Sequence, residues 1–287
     1  MAGDWFHEMH TPHVGIELEL GQRLFKGQSP YQMIEVVETL EFGRMLVVDG
    51  AIMFTARDEF VYHEMIAHPP LFAHGNPERV LIVGGGDGGS IREVLKHDAV
   101  HSITLVEIDG MVIDTCRKYF PDLTAGMDHA KVEVVIRDGF AFLDDHQGAF
   151  DVILVDSTDP VPLISESKTG PAEKLFTPRF FEKLHTALKS GGIAVFQSEN
   201  PFFAAPILST MHSDLRRTFR VVELYLANIP TYPAGLWSFT FCSDDVDPHL
   251  FRHTSAPPFV ADLRYYHQKM FRAALTLPNY VRRFLAH

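Results

Sequence analysis

Hydrophobic residues follow two different rhythms along the chain. Over residues 14–55 they fall in short extended stretches, VGIELEL, YQMIEVVETL and RMLVVDGAIMF, the pattern of strands with one face buried. Asp49-Gly50 lies between β-rich flanks and predicts a tight hairpin, because both residue types tolerate the left-handed backbone that such a turn needs. A small N-terminal β-domain follows from these segments. In RDEFVYHEMIAH the rhythm changes, with Phe60, Val61, Met65 and Ile66 at near-helical spacing, which predicts a helix ending before Pro69-Pro70.

From Arg79 onward, apolar runs alternate with helical or loop segments: RVLIV, SITLVEI, VEVVI, FDVILVD and GIAVFQ. This is the signature of a doubly wound parallel sheet, so the fold class expected is α/β. RVVELYLANI and LWSFTFCS are joined by a Pro-rich turn too short for a crossover helix and should pair antiparallel. Such a terminal hairpin suits the methyltransferase variant of the Rossmann-like sheet. The division expected is 1–68 for the N-terminal β-strand domain with its linking helix and 69–287 for a Rossmann-like catalytic domain.

Composition narrows the partners. The 287 residues are 46% hydrophobic, enough for a substantial core, and 25 basic against 37 acidic side chains give a net charge of −12. That sign disfavours nucleic acid and anionic membrane surfaces and suits a cationic small molecule. Cys116 and Cys242 are the only cysteines and lie far apart, so neither a disulfide framework nor a zinc site is expected. His7, His10 and His13 are regularly spaced but lack a carboxylate or cysteine framework, and no metal is expected there either. MAGDWFHEMH has no signal-peptide pattern and no run approaches about 18 apolar residues, so a cytoplasmic location is expected.

Chemistry concentrates at the ends of the predicted parallel strands. RVLIV runs into Gly84-Gly85-Gly86-Asp87-Gly88-Gly89, a turn whose missing side chains let the backbone approach a ligand. Gly84, Gly86 and Gly89 also fit the dinucleotide pattern G-x-G-x-x-G, but Asp87 would repel a pyrophosphate and attract the ammonium of an adenosylmethionine-type tail. The next strand ends at Glu107, placed to accept from both ribose hydroxyls, and the third at Asp138-Gly139, where a carboxylate can accept from an adenine amino group. The fourth delivers Asp156-Ser157-Thr158-Asp159. A primary amine is protonated in water and cannot attack carbon, so a carboxylate must hold it and take its proton. Asp156 is the candidate base, and Asp159 the candidate partner for the part of the amine that does not react.

GGGDGG, EID, RDG, DSTDP, GPAEKLFT and IPTYPAGLWSF, in this order, resemble the motifs of the spermidine synthase (polyamine aminopropyltransferase) family over nearly the whole chain. The resemblance implies transfer of an aminopropyl group from decarboxylated S-adenosylmethionine to a diamine or polyamine, putrescine first among them, with no other cofactor. It assigns Gln32, His63, Asp87, Glu107, Asp138 and Gly139 to the donor, with Pro171 packing near the adenine. Asp156 becomes the general base, Tyr62 and Tyr232 orient the attacking nitrogen, and Trp5 covers the amine tunnel. A homodimer or homotetramer is implied in the same way. Where many members read D-P-V-G-P, this chain reads DPVPLISESKTGP, so 162–169 look inserted in a gate over the site. Three alternatives are weighed against this reading: an S-adenosylmethionine-dependent methyltransferase, opposed by DSTDP with IPTYP; a dinucleotide-dependent oxidoreductase, opposed by Asp87; and a polyamine-binding protein without turnover, opposed by Asp156 and both tyrosines.

Overall fold

The computed structural model describes residues 3–159, 171–250 and 256–286. Strands β1 (Asp4–Thr11), β2 (Val14–Gln28), β3 (Met33–Thr39), β4 (Gly43–Val48) and β5 (Ala51–Thr55) form an antiparallel sheet in chain order. Between β4 and β5 the backbone is left-handed at Asp49 and Gly50, with φ of 49° and 87°, the conformation expected of a two-residue hairpin. The strand β1 lies ahead of the β-rich stretch read from sequence.

Helix α1 (Glu59–His74) follows, then β6 (Arg79–Gly84), α2 (Gly89–Val94), β7 (Ser102–Glu107), α3 (Gly110–Tyr119), α4 (Pro121–Thr124), β8 (Val132–Ile136), α5 (Gly139–Phe142) and β9 (Phe150–Asp156). After these come α6 (Pro178–Ala187), β10 (Leu188–Gln197), α7 (Ala205–Thr218), β11 (Val221–Asn228), β12 (Leu236–Ser243), α8 (Gln268–Ala274) and α9 (Asn279–Leu285). Among the described residues the second sheet has the order β11-β12-β10-β9-β6-β7-β8. Its strands are parallel except β12, which runs antiparallel to both neighbours. The expected α/β class, a Rossmann-like methyltransferase-type sheet preceded by a small β-domain, is what the chain adopts.

The core follows from the strand period. Val80 and Ile82 of β6, with Val152 and Leu154 of β9, face α1, whereas Leu81, Val83, Ile153 and Val155 face Phe180, Leu184 and Leu215 of α6 and α7. Every residue of β9 is buried, as expected of a central strand covered on both faces. The five-stranded sheet packs Ile34, Val36, Leu46 and Phe54 against Val112, Cys116 and Phe120 of the second unit. This contact sets the β-domain over the carboxyl edge of the larger sheet.

The helix expected to stop before Pro69-Pro70 instead continues through both prolines to His74. Pro69 has no N–H for the Met65 carbonyl four residues earlier, which is why a helix normally breaks there. Here the Tyr225 hydroxyl donates to that carbonyl at 2.7 Å, so the freed acceptor is satisfied from β11. Burial on all sides from Val61 to Phe72 adds packing that an isolated helix lacks. Glu64 then ties down the C-terminal segment by accepting the backbone N–H groups of Arg264, Tyr265 and Tyr266. Tyr225→Phe is expected to destabilise the protein by about 1–3 kcal/mol, since the Met65 carbonyl is left buried and unpaired. An unchanged denaturant midpoint would show that the prolines are accommodated by packing alone.

Candidate active site

The chain steps outward from β6 to β7 and β8, then returns to β9 on the other side of β6, and this reversal opens a crevice beyond the strand ends. Gly84 pairs with Asp156 across the opening, and the Gly85 N–H donates to the Asp156 carbonyl at 2.7 Å. Gly84 has φ of 84°, and a Cβ there would lie 2.1 Å from the same carbonyl oxygen, so only glycine closes this seam. The cavity beyond it is lined by Gln32, Tyr62, His63, Gly84, Gly86, Asp87, Glu107, Asp138, Gly139, Asp156, Ser157, Thr158, Asp159 and Tyr232. Residues distant in sequence, expected to act together, therefore meet in one place.

On the β7 and β8 side, Glu107 accepts the Asp109 N–H at 2.9 Å. Burial raises its pKa to about 7, with the surrounding N–H groups opposing the shift. Asp138 caps α5 by accepting the Phe140 N–H at 2.8 Å. Gln32 reaches the cavity from the β-domain with its amide donating to Asp109 at 3.0 Å, and Ser29 donates to the same oxygen at 2.6 Å. Asp109 thus joins the two units beside the crevice. It was legible in sequence only as the last letter of EID.

The centre of the site is an imidazole between two carboxylates. His63 Nδ1 lies 2.6 Å from Glu59 and Nε2 lies 3.2 Å from Asp87. Burial on its own lowers the His63 pKa, but Asp87 and Glu59 outweigh it and raise the value to about 10, so the ring is an imidazolium at neutral pH. Asp87 feels the converse: burial pushes it up, and the His63 charge prevails and holds it below its ordinary value. Gly89 makes room, since a Cβ there would meet the ring at 2.3 Å. Arg92 grips Glu59 with two hydrogen bonds of 2.9 and 2.8 Å and fixes the far side of the arrangement.

Asp156 sits across from this group. The Tyr62 hydroxyl donates to Oδ1 at 2.6 Å and the Ser90 hydroxyl to Oδ2 at 2.5 Å. Burial raises the Asp156 pKa, Asp87 adds to the shift, and His63, Ser90 and Tyr62 oppose it. Tyr232 packs beside Tyr62, their ring centroids 6.1 Å apart. The turn that carries Tyr232 is held by Asp58, which accepts from the Thr231 N–H and hydroxyl at 3.0 and 2.7 Å.

Further along, Gln197 donates to Asp159 and to the Ser157 carbonyl, each at 3.1 Å. Burial lifts Asp159 to about 6, with Gln197 opposing. Glu8 enters the same end of the cavity from β1, lifted by burial to about 7 while the Ile52 N–H opposes. Glu199 is buried nearby, and neither carboxylate oxygen has a hydrogen-bond partner among the described residues. Glu8 and Gln197 were not singled out in the sequence, although Gln197 ends a predicted parallel strand and that position was a usable signal.

Trp5 does not line the cavity: it stands on β1 with 42% of its surface exposed. The inserted stretch 162–169 lies outside the described residues, as does the side chain of Pro171. His7 pairs with Glu17, whereas His10 lies buried near Glu8. No group of three or more His, Cys, Asp or Glu suited to a metal ion occurs among the described residues. Nor is any described helix long and apolar enough to cross a membrane.

Residues 59–252 match the model of the spermine/spermidine synthase domain, and residues 4–56 that of the spermidine synthase tetramerisation domain. A polyamine aminopropyltransferase of Bacillus cytotoxicus is 46% identical over 278 residues, covering 96% of this chain and 97% of the relative. One of Bacillus subtilis is 44% identical over 281 residues, 98% of each chain. Among solved structures, a spermidine synthase in complex with the transition state analogue AdoDATO superposes with a TM-score of 0.91 at 38% identity, covering 99% of this chain and 95% of its own. The spermidine synthase from Thermotoga maritima gives a TM-score of 0.90 at 37% identity, with coverage of 100% and 95%.

The His63 assignment has a signed consequence for stability. A histidine whose pKa rises on folding contributes fully below its unfolded value of about 6.5, and the contribution is lost as pH climbs through the folded value. For His63 that window closes at about 10. The melting-temperature difference between wild type and His63→Gln is therefore expected to be largest at about pH 6.5 and to shrink steadily as the pH rises towards 10. A difference that is constant across the range would show that the ring is neutral in the folded protein.

Proposed function

The chain belongs to the spermine/spermidine synthase family of polyamine aminopropyltransferases, and we propose that it transfers the aminopropyl group of decarboxylated S-adenosylmethionine to putrescine, giving spermidine and methylthioadenosine. The observation that carries this reading is the pairing of Asp87, kept anionic by His63, with Asp156, whose proton affinity is raised, across one crevice. Two buried carboxylates pushed in opposite directions suit two different tasks. Asp87 receives the ammonium of the donor's propylamine arm, and Asp156 takes the proton of the acceptor.

In this scheme Glu107 accepts from the ribose hydroxyls, Asp138 and the Gly139 N–H meet the adenine, and Gln32 borders the nucleoside with Gly84 and Gly86. Pro171 is proposed to pack near the adenine. The acceptor lies along Asp156, Ser157, Thr158 and Asp159, its distal ammonium near Asp159, with Tyr62 and Tyr232 orienting the attacking nitrogen. Once Asp156 has taken a proton, the nitrogen lone pair attacks the carbon bonded to the sulfonium. The new C–N bond forms as the C–S bond breaks, and its electrons remain on sulfur as neutral methylthioadenosine leaves. Alignment at about 3–3.5 Å and deprotonation are the protein's contributions, and no metal or redox group is required by this chemistry.

A cytoplasmic homodimer or homotetramer belongs to the same proposal. The half-buried carboxylates at Glu8 and Asp159 and the buried one at Glu199 favour a cationic acceptor over a neutral one.

The test is to incubate the protein with decarboxylated S-adenosylmethionine and a panel of amines, and to identify products by mass. Methylthioadenosine formed together with spermidine from putrescine is the outcome expected. Asp156→Asn should bind the donor normally and lose about 10²–10⁴-fold in turnover, the usual worth of a general base. Asp159→Asn should instead raise the KM for putrescine by about tenfold or more, with a smaller change in kcat. Donor binding with no turnover on any amine would favour a binding protein, and a methylated product a methyltransferase.

A further inference from the structure

Ser90 lies in the first turn of α2, directly after the glycine loop, and is fully buried. Its hydroxyl points away from the helix ladder to Asp156 Oδ2 at 2.5 Å, while Tyr62 occupies Oδ1 at 2.6 Å. The two contacts differ in their surroundings. Tyr62 lines the cavity beside Tyr232, where the acceptor would enter, whereas Ser90 approaches from the protein interior and does not line the cavity. We propose that Ser90 is a positioning residue for the base: it holds Oδ2 from behind and so leaves Oδ1, on the tyrosine side, as the oxygen that takes the amine proton.

The inference rests on Asp156 being the base. A carboxylate on a strand end can rotate about its Cβ–Cγ bond, and one fixed donor behind it selects a single orientation. Ser90 does this without adding charge. The Gly84–Asp156 seam fixes the backbone of the base, and Ser90 fixes its side chain. The groups that face the carboxylate are Tyr62 and His63 from α1, Asp87 from the glycine loop, Ser90 from α2 and Tyr232 from the turn before β12. Burial and Asp87 favour the protonated form, whereas His63, Ser90 and Tyr62 favour the anion. Loss of the serine hydroxyl therefore makes Asp156 easier to protonate, and a base that is protonated at higher pH loses activity at higher pH as the solution is acidified.

The experiment measures single-turnover formation of methylthioadenosine against pH for wild type, Ser90→Cys, Ser90→Ala and Asp156→Asn, with decarboxylated S-adenosylmethionine and putrescine. The acid limb is expected to move upward by about one pH unit in Ser90→Ala and by less in Ser90→Cys, whose thiol is a weaker donor of similar size. Donor affinity, read from the donor dependence of the single-turnover rate, should stay within about twofold, because Ser90 does not line the cavity. A role in packing alone would lower the rate equally at every pH and leave the limb in place, and that result would overturn the proposal. If Asp156→Asn retains near-normal turnover, the base assignment itself fails and the proposal falls with it. An inactive Asp156→Asn with superimposable Ser90→Ala and wild-type profiles would leave the base standing and remove only Ser90.

Discussion

A buried crevice can hold two carboxylates as working groups only if a cation is built in beside one of them, and His63 is that cation. Without its charge, Asp87 and Asp156 would share the opening between β6 and β9 with burial and mutual repulsion driving both towards the neutral acid. The imidazolium is itself secured in depth. Glu59 faces its other nitrogen, Arg92 grips Glu59 at two points, and Glu93 binds Arg92 while also accepting from Lys96 and His68. His63, Glu59 and Glu93 are shielded from water in this run while Arg92 and Lys96 keep part of their surface in solvent, so removing a cation would leave a carboxylate charge buried and unpaired.

From that constraint the rest of the site can be followed. Asp87, held anionic, is suited to a cationic tail, and Asp156, whose pKa burial raises, is suited to take up a proton. The glycines are where they are because rings and carbonyls must approach closely: Gly89 under His63 and Gly84 against Asp156. Helix α1 supplies both Tyr62 and His63, and its persistence through Pro69 and Pro70 packs the helix firmly across the larger sheet. The β-domain contributes Gln32 and Glu8 to the cavity, which ties its packing against α3 to the site's function as proposed.

Much of this was legible in the sequence because the fold writes its site at strand ends. The acids Glu107 and Asp156 terminate buried apolar runs, Asp138 lies two residues beyond the end of β8, and the crevice needs residues at those positions, so a strand pattern alone located them. Tyr62, His63 and Tyr232 became candidates only through the family resemblance, since nothing in their local pattern separates them from core residues. Glu59 did leave a signal: it stands four residues before His63 on a predicted helix, the spacing at which two side chains meet. Ser90 left none, because its role arises from a contact across 66 positions of sequence separation, about which periodicity is silent. The helix stop at Pro69 was misjudged for a related reason. A local rule about proline was overridden by a hydroxyl 160 residues away.

The role proposed for Asp87 is that of an anion that recognises an ammonium rather than an amino-acid zwitterion. The most direct measurement is calorimetric titration of wild type and Asp87→Asn with decarboxylated S-adenosylmethionine and with S-adenosylmethionine, which differ only by a carboxylate beside that ammonium. Wild type is expected to prefer the decarboxylated compound by about 100-fold, a difference of about 2.7 kcal/mol, and the variant to lose most of this preference. Equal affinity of wild type for the two compounds would contradict that role.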